Sequence, residues 1–218
     1  GSRDMRVLPS VMADVRWGGV NVQVRGPGLR VDVVSDPRLS FGPVIGARLP
    51  RDDADGRLGL LPEIDTAIEA GAFIGYRFGG DRYGQGALQM ELSVLHDVSD
   101  THNGLLATAS ASYTAVSNQD FFFSIDVQTT VADSDYTRTY FGIDQAAAAA
   151  SGIAAYRPDG GVRDIGAGVT AGYWFSPKFG ITARAGATYL VGDIADSPIT
   201  EEGRRWQPAG GVMLSYRF

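Results

Sequence analysis

The sequence predicts an all-β chain: a transmembrane antiparallel up-and-down β-barrel of about twelve strands, with a short helix in one external loop. Three observations predict it. The chain closes on a stretch of strict apolar alternation. Similar stretches recur along its whole length. The connections between them alternate between short and long.

The closing stretch, Trp206 to Phe218, reads W-Q-P-A-G-G-V-M-L-S-Y-R-F. Val212, Leu214, Tyr216 and Phe218 fall on one face, and Gly211, Met213, Ser215 and Arg217 on the other. Period-2 alternation of this kind marks a strand with one apolar face. A soluble protein rarely stops in mid-strand on an exposed aromatic residue. In a transmembrane barrel the last strand pairs with the first, so no edge is left. The row Val212, Leu214, Tyr216 and Phe218 also resembles the carboxy-terminal assembly signal of Gram-negative outer-membrane proteins, which implies recognition by the barrel-assembly machinery. A soluble ligand-binding β-barrel or a sandwich is the alternative that alternation alone leaves open.

Composition narrows the class. The 218 residues suit one β domain spanning 1–218. There is no cysteine, which excludes disulfides, thiol nucleophiles and thiolate zinc sites. A net charge of −6 and a pI near 4.9 argue against nucleic acid as a partner. No apolar run approaches the ~18 residues of a membrane helix. The longest, Ala146 to Tyr156, is interrupted by Ser151 and Gly152. The first residues do not read as a signal peptide, and the chain is expected to lack both that peptide and an amino-terminal strand.

In chain order, Val7 to Arg16 reads as a strand and Trp17-Gly18-Gly19 as a turn. Val20, Val22 and Val24 alternate with polar residues; after Gly26-Pro27-Gly28 the apolar phase moves to Leu29, Val31 and Val33. Pro27 cannot donate to a ladder, so G-P-G reads as a hairpin turn rather than a bulge. Leu39 to Ala47 gives the next strand, and Arg51 to Leu61 a charged loop. Glu63 to Phe78 reads as one long strand, with Ile64, Ile68, Ile74 and Phe78 on one face and Glu63, Asp65, Glu69 and Arg77 on the other. An arginine turned toward lipid at mid-membrane costs ~2–4 kcal/mol, so the charged face belongs inside.

Strands follow around Leu88–Val94, Ala107–Ala115, Phe121–Val127, Ile165–Phe175 and Phe179–Tyr189. Between the third and fourth of these, Asp133 to Gly161 is irregular, and its alanine run Ala146–Ala150 predicts the short helix. The count is eleven with the G-P-G turn. An even number is the rule for such barrels, which gives about twelve with a missing first strand, or ten without the turn.

Connections around Asp36, Gly80, Asn118 and Ser176 are short, whereas those around Asp53, Asp100, Ala148 and Asp196 are mostly longer. Aromatics including Tyr76, Phe78, Tyr113, Phe121, Phe123, Tyr173, Phe175, Phe179 and Tyr216 gather at the short-turn end. Short periplasmic turns, long external loops and an interfacial aromatic girdle are habits of outer-membrane barrels.

Several stretches carry a more specific resemblance. Tyr140-Phe141-Gly142-Ile143, Ala150-Ser151-Gly152-Ile153-Ala154-Ala155-Tyr156, Pro158-Asp159-Gly160-Gly161 and Gly192-Asp193-Ile194-Ala195-Asp196-Ser197-Pro198-Ile199 resemble the MipA/OmpV family of outer-membrane proteins. The closing Tyr216-Arg217-Phe218 belongs to the same resemblance, and Leu8-Pro9 and the Gly59–Asp65 stretch are weaker matches. The resemblance implies location in the Gram-negative outer membrane, in contact with its lipid. It also implies a structural or scaffold role beside a lytic transglycosylase or another periplasmic or envelope protein. Other members are described as porin-like or adhesive.

No catalytic, metal or cofactor set is expected. Asp52, Asp53 and Asp55 with Gly56 lack the later glutamate of a full calcium loop and read as a solvated loop. His96 and His102, near Asp97 and Asp100, lack full metal-ligand spacing and are expected to be solvated. Gly166 to Gly172 has the wrong spacing for a dinucleotide fingerprint. Ser151 is not in a nucleophile elbow, and Asp196, Ser197 and a distant His102 make no triad. The remaining candidates face the lumen: Glu63, Asp65, Glu69, Arg77, Glu91, Asp126 and Arg184. They read either as a brace of paired charges or as a small-solute pathway.

Overall fold

The computed structural model describes residues 12–51 and 56–216. Among them are eleven strands, each antiparallel to the next: β1 (Met12–Trp17), β2 (Val20–Arg25), β3 (Gly28–Asp32), β4 (Leu39–Arg48), β5 (Ala67–Phe78), β6 (Leu88–Asp97), β7 (Leu105–Ser117), β8 (Phe121–Ala132), β9 (Gly161–Trp174), β10 (Phe179–Leu190) and β11 (Trp206–Tyr216). They form a single up-and-down sheet, curled into a half-barrel. The expected closure of last strand on first is not its arrangement: β1 and β11 are the two outer strands of the order.

The G-P-G stretch is a hairpin turn. Val22 lies opposite Val31 and Val24 opposite Leu29, so the switch of phase keeps the apolar residues on one face. The ten-strand count, which needed β2 and β3 as one strand, is thereby replaced. The strand expected from Glu63 starts later, at Ala67. Ahead of it only Ile64 makes an isolated bridge, to Arg51.

The convex face carries the apolar phase. Phe41, Ile74 and Leu92 lie in one cross-strand row, and Phe78, Leu88, Tyr113 and Ile125 in another, all exposed. Phe179 and Tyr216 are opposed at the short-turn end of the same face, ring centroids 5.0 Å apart. The concave face carries the charged and small residues.

The connections β4–β5, β6–β7, β8–β9 and β10–β11 lie at the other end and are folded, although 79–87 at the short-turn end is longer than 98–104. The loop between β8 and β9 holds α1 (Ser134–Phe141) and α2 (Gln145–Ser151); that between β10 and β11 holds α3 (Gly192–Ala195) and α4 (Pro198–Glu202); that between β4 and β5 holds a 3₁₀ turn, Gly56–Leu60. Asp133, Asp144 and Ser197 cap α1, α2 and α4 by accepting backbone N–H groups of the first turn. Sequence reading anticipated only α2. The helices bury two apolar clusters. Tyr136, Phe141 and Ile194 pack on Leu106, Ala132 and Leu190, at the ends of β7, β8 and β10. Leu61, Ile143, Ala147, Ile153 and Ile199 join α2, α4 and the β4–β5 loop. These connections are thus a cap on the half-barrel.

Close strand approach depends on particular glycines. A Cβ on Gly71 would fall 1.8 Å from the carbonyl oxygen of Val94 on β6, whereas one on Gly46 would meet nothing within 4 Å. Gly71→Ala is expected to destabilise the fold by about 1–3 kcal/mol and Gly46→Ala to have little effect. Urea titration of the heat-modifiable gel band measures both; equal midpoints for the two variants would refute the assignment.

Candidate functional site

The concave face is crossed by two bidentate ion pairs. Arg30 on β3 donates to both Glu91 oxygens on β6, at 2.9 and 2.7 Å, and its guanidinium lies 3.6 Å from the centre of the Phe73 ring. Three strand spacings separate β3 from β6, about 14 Å along a flat sheet. The curl brings the two side chains together. Arg184 on β10 donates to both Asp126 oxygens on β8 at 2.6 Å, and to Thr170 Oγ1 at 3.1 Å. Gly168 lies beneath this pair. A Cβ there would stand 3.0 Å from the Arg184 guanidinium and 3.1 Å from the Asp126 carboxylate. Bidentate geometry fixes the direction as well as the distance of each pair.

A third group joins sheet and cap. Arg48 Nε and Nη2 donate to Glu69 at 2.7 and 3.1 Å. His102 Nδ1 accepts the Gly104 N–H at 3.0 Å, so that nitrogen carries no proton. The proton is on Nε2, which donates to Glu69 Oε1 at 3.2 Å. The His102 side chain is 0% exposed and that of Glu69 5%. The expectation of a solvated His102 is corrected: the β6–β7 loop folds inward. Asp97 holds it there, accepting from the backbone N–H groups of Ser99, His102 and Asn103 and from the Ser99 hydroxyl. His96 lies on the opposite face, exposed, with Nδ1 3.1 Å from the Gly104 carbonyl oxygen.

Over this group lies α1. Tyr136 and Tyr140 meet the His102 ring edge-on at 5.3 and 5.6 Å between centroids. Arg48 and Arg163 both stand against the Tyr136 ring, at 5.1 and 5.6 Å. Arg163 also donates to the Tyr136 hydroxyl at 3.1 Å and to Asp164 at 2.5 Å. The register shift between β8 and β9, where Thr130 faces Asp164 but Val131 faces Val162, supplies the extra residue that lets Arg163 reach inward. α1 therefore lies across the concave face, tied to strands on both sides of it. Burial pushes the Tyr140 phenol up to about 12, although the Arg48 charge pulls the other way.

The predicted lumen residues divide. Glu69, Arg77, Glu91, Asp126 and Arg184 lie on the concave side. Glu63 and Asp65 do not: both precede β5 and are exposed. Their assignment to an inward strand face is corrected, because the loop returning from the cap occupies those residues. Val212, Leu214 and Tyr216 line the convex face of β11; Phe218 lies outside the described residues, as do Asp52, Asp53 and Asp55. Sequence reading missed Arg30, Arg48 and Phe73. Arg30 had a signal, since it stands between Leu29 and Val31 in an alternating strand.

At the short-turn end a cavity of about 600 Å³ opens on the concave side, with Arg77 in its lining.

An up-and-down meander with an apolar convex face and a braced, charged concave face has the pattern of outer-membrane β-barrel proteins. The family model for MltA-interacting protein MipA matches residues 1–218, and the chain belongs to that family. No curated protein matches the chain. The stretch Gly192 to Ile199 that suggested the family is structural: Ser197 Oγ donates to the Phe141 carbonyl at 2.7 Å, and Ile194 and Ile199 each enter one apolar cluster of the cap.

Two outcomes are expected. Glu69→Ala strands the Arg48 charge and the His102 proton, and should cost about 3–5 kcal/mol in urea unfolding; a loss under ~1 kcal/mol would mean that the group is not a joint. The Tyr140 pKa is raised in the fold, so the stabilisation it carries is complete below ~10, the ordinary tyrosine value, and is lost as pH rises through about 12. Tyr140→Phe should remove the last component of the phenolate absorbance titration. Loss of a component at about 10 instead would place Tyr140 in solvent.

Proposed function

We propose that this protein is a scaffold of the outer membrane of a Gram-negative cell, with its concave face filled by its own helix and ion pairs rather than left as a pathway. Its periplasmic, short-turn rim binds a lytic transglycosylase. The observation that carries the reading is α1 held over the concave face at the long-loop end by Arg48 and Arg163, with the Arg30–Glu91 and Arg184–Asp126 pairs bracing the same face further along. A solute pathway needs that space open; a scaffold needs it rigid.

The convex face supports the membrane setting. Ile74, Leu92, Val127, Ile181 and Leu214 are among many large apolar side chains exposed there, between 45% and 74%. That far exceeds the patch a monomeric soluble protein exposes, and lipid is the solvent that fits it. The family description names an interaction with MltA, and a lytic transglycosylase is the partner class that follows. Val212, Leu214 and Tyr216 supply the outward apolar row expected of an assembly signal.

Protein shown to be folded by its heat-modifiable band should give no discrete conductance steps in planar bilayers. Tagged protein should also retain a lytic transglycosylase from an envelope extract. Steps whose size changes in Arg184→Ala would instead support the alternative, a small-solute channel through the charged lumen. Dispersal without detergent would support a soluble ligand-binding barrel.

A further inference from the structure

We propose that the cavity at the short-turn end binds an anionic saccharide: a sugar ring bearing a carboxylate or a phosphate. The cavity, about 600 Å³, is within the size range of small-molecule sites. It goes beyond the scaffold reading, because it uses no residue of the cap and needs no protein partner. Only its orientation toward the periplasm rests on that reading.

Charge argues for an anion. Arg77 and Arg82 both line the cavity, and its lining contains no carboxylate. Elsewhere on the concave side Arg30, Arg48, Arg163 and Arg184 each have an acidic partner. Among the described residues Arg77 and Arg82 have none. Two neighbouring guanidiniums without a counter-charge repel each other, and an oxyanion between them relieves that repulsion with bidentate hydrogen bonds. The chain also makes room for one of them. Gly84, in the turn between β5 and β6, has φ +88°, and a Cβ on it would lie 2.6 Å from Arg77 Nη2. The guanidinium sits where any other residue's side chain would begin.

The rest of the lining argues for a sugar rather than a bare anion or an aromatic acid. Phe122 and Trp174 bring aromatic rings from β8 and β9, each lying against a glycine. A Cβ on Gly172 would collide with the Phe122 ring, and one on Gly180 with the Trp174 indole. Such rings receive the C–H face of a pyranose. Thr114, Asn118, Gln119 and Ser124 add hydroxyl and amide groups between the arginines and the rings. Asn118 Oδ1 already accepts two backbone N–H groups and Ser124 donates to Thr114, but a flat aromatic acid would answer none of the donors that remain, at a cost for each one buried. Inorganic phosphate would leave the rings unused. A charged sugar satisfies all three kinds of lining.

The test is isothermal titration of the full, detergent-folded chain with glucuronate, glucose 6-phosphate, glucose and inorganic phosphate. At least one charged sugar should bind about tenfold or more tightly than both glucose and inorganic phosphate. The tighter of the two identifies the oxyanion. Arg77→Gln and Arg82→Gln should each weaken it about tenfold, since each removes a charge-assisted contact. Arg82 lies in an exposed turn, so its variant keeps the test open if Arg77→Gln fails to show the folded band. Trp174→Phe should abolish any ligand-induced change in indole fluorescence. Equal binding of glucose, equal binding of inorganic phosphate, no binding of either charged sugar, or binding indifferent to both arginine variants would overturn the proposal.

Discussion

Glu69 is where sheet and cap become one structure. It is a carboxylate on the concave side of β5, almost wholly removed from water. A charge in that position is tolerable only with partners, and its two partners come from different places. Arg48 arrives from the neighbouring strand and His102 from the β6–β7 loop. Each then becomes a surface for α1, through the Tyr136 and Tyr140 rings. The helix does not merely rest on the half-barrel. It closes over a charge that would otherwise need solvent.

The braces obey the same rule at mid-sheet. Alternation forces polar side chains onto the concave face wherever the convex face is apolar. Curvature then brings acids and bases on non-adjacent strands within reach. Arg30 joins Glu91 across β4 and β5, and Arg184 joins Asp126 across β9. Gly168 beneath the second pair shows the complementary need, since the space a Cβ would take is given to the ion pair. Small residues and long charged ones are two halves of one packing solution.

This division explains how much was legible in the sequence. Period 2 is a local signal, so strands such as β6, β9 and β10 and the outward rows Phe78–Tyr113 and Phe179–Tyr216 could be read from the chain alone. The hairpin at Pro27 was readable because proline removes a ladder donor. The cap was not. α1 has the sequence S-D-Y-T-R-T-Y-F, without the alanine run that revealed α2, and its helical state depends on contacts with Leu106 and Leu190, far along the chain, as well as with neighbouring Ala132. The same holds for His102. Its burial is set by Asp97 gathering three backbone N–H groups around one carboxylate, which no spacing rule reports. Glu63 and Asp65 misled for the opposite reason: their alternation continues that of β5, but the ladder does not.

The two ends of the half-barrel differ in one physical respect. At the long-loop end, burial has been completed by protein: rings, apolar side chains and carboxylates answer each cation of the Arg48, Arg163 and Glu69 group. In the cavity at the short-turn end the same kinds of group are present, but no carboxylate lines it. Arg77 stands on the strand that carries Glu69, eight positions further along, roughly 26 Å away at about 3.3 Å per residue. One β-strand thus runs from a satisfied charge cluster to an unsatisfied one. Folding stability alone would favour a carboxylate beside Arg77, as it has beside Arg30 and Arg184. Leaving the guanidinium between aromatic rings and amides costs stability and preserves an electrostatic field. The long-loop end covers its charged group with its own helix, whereas the short-turn end leaves two arginines lining an open cavity.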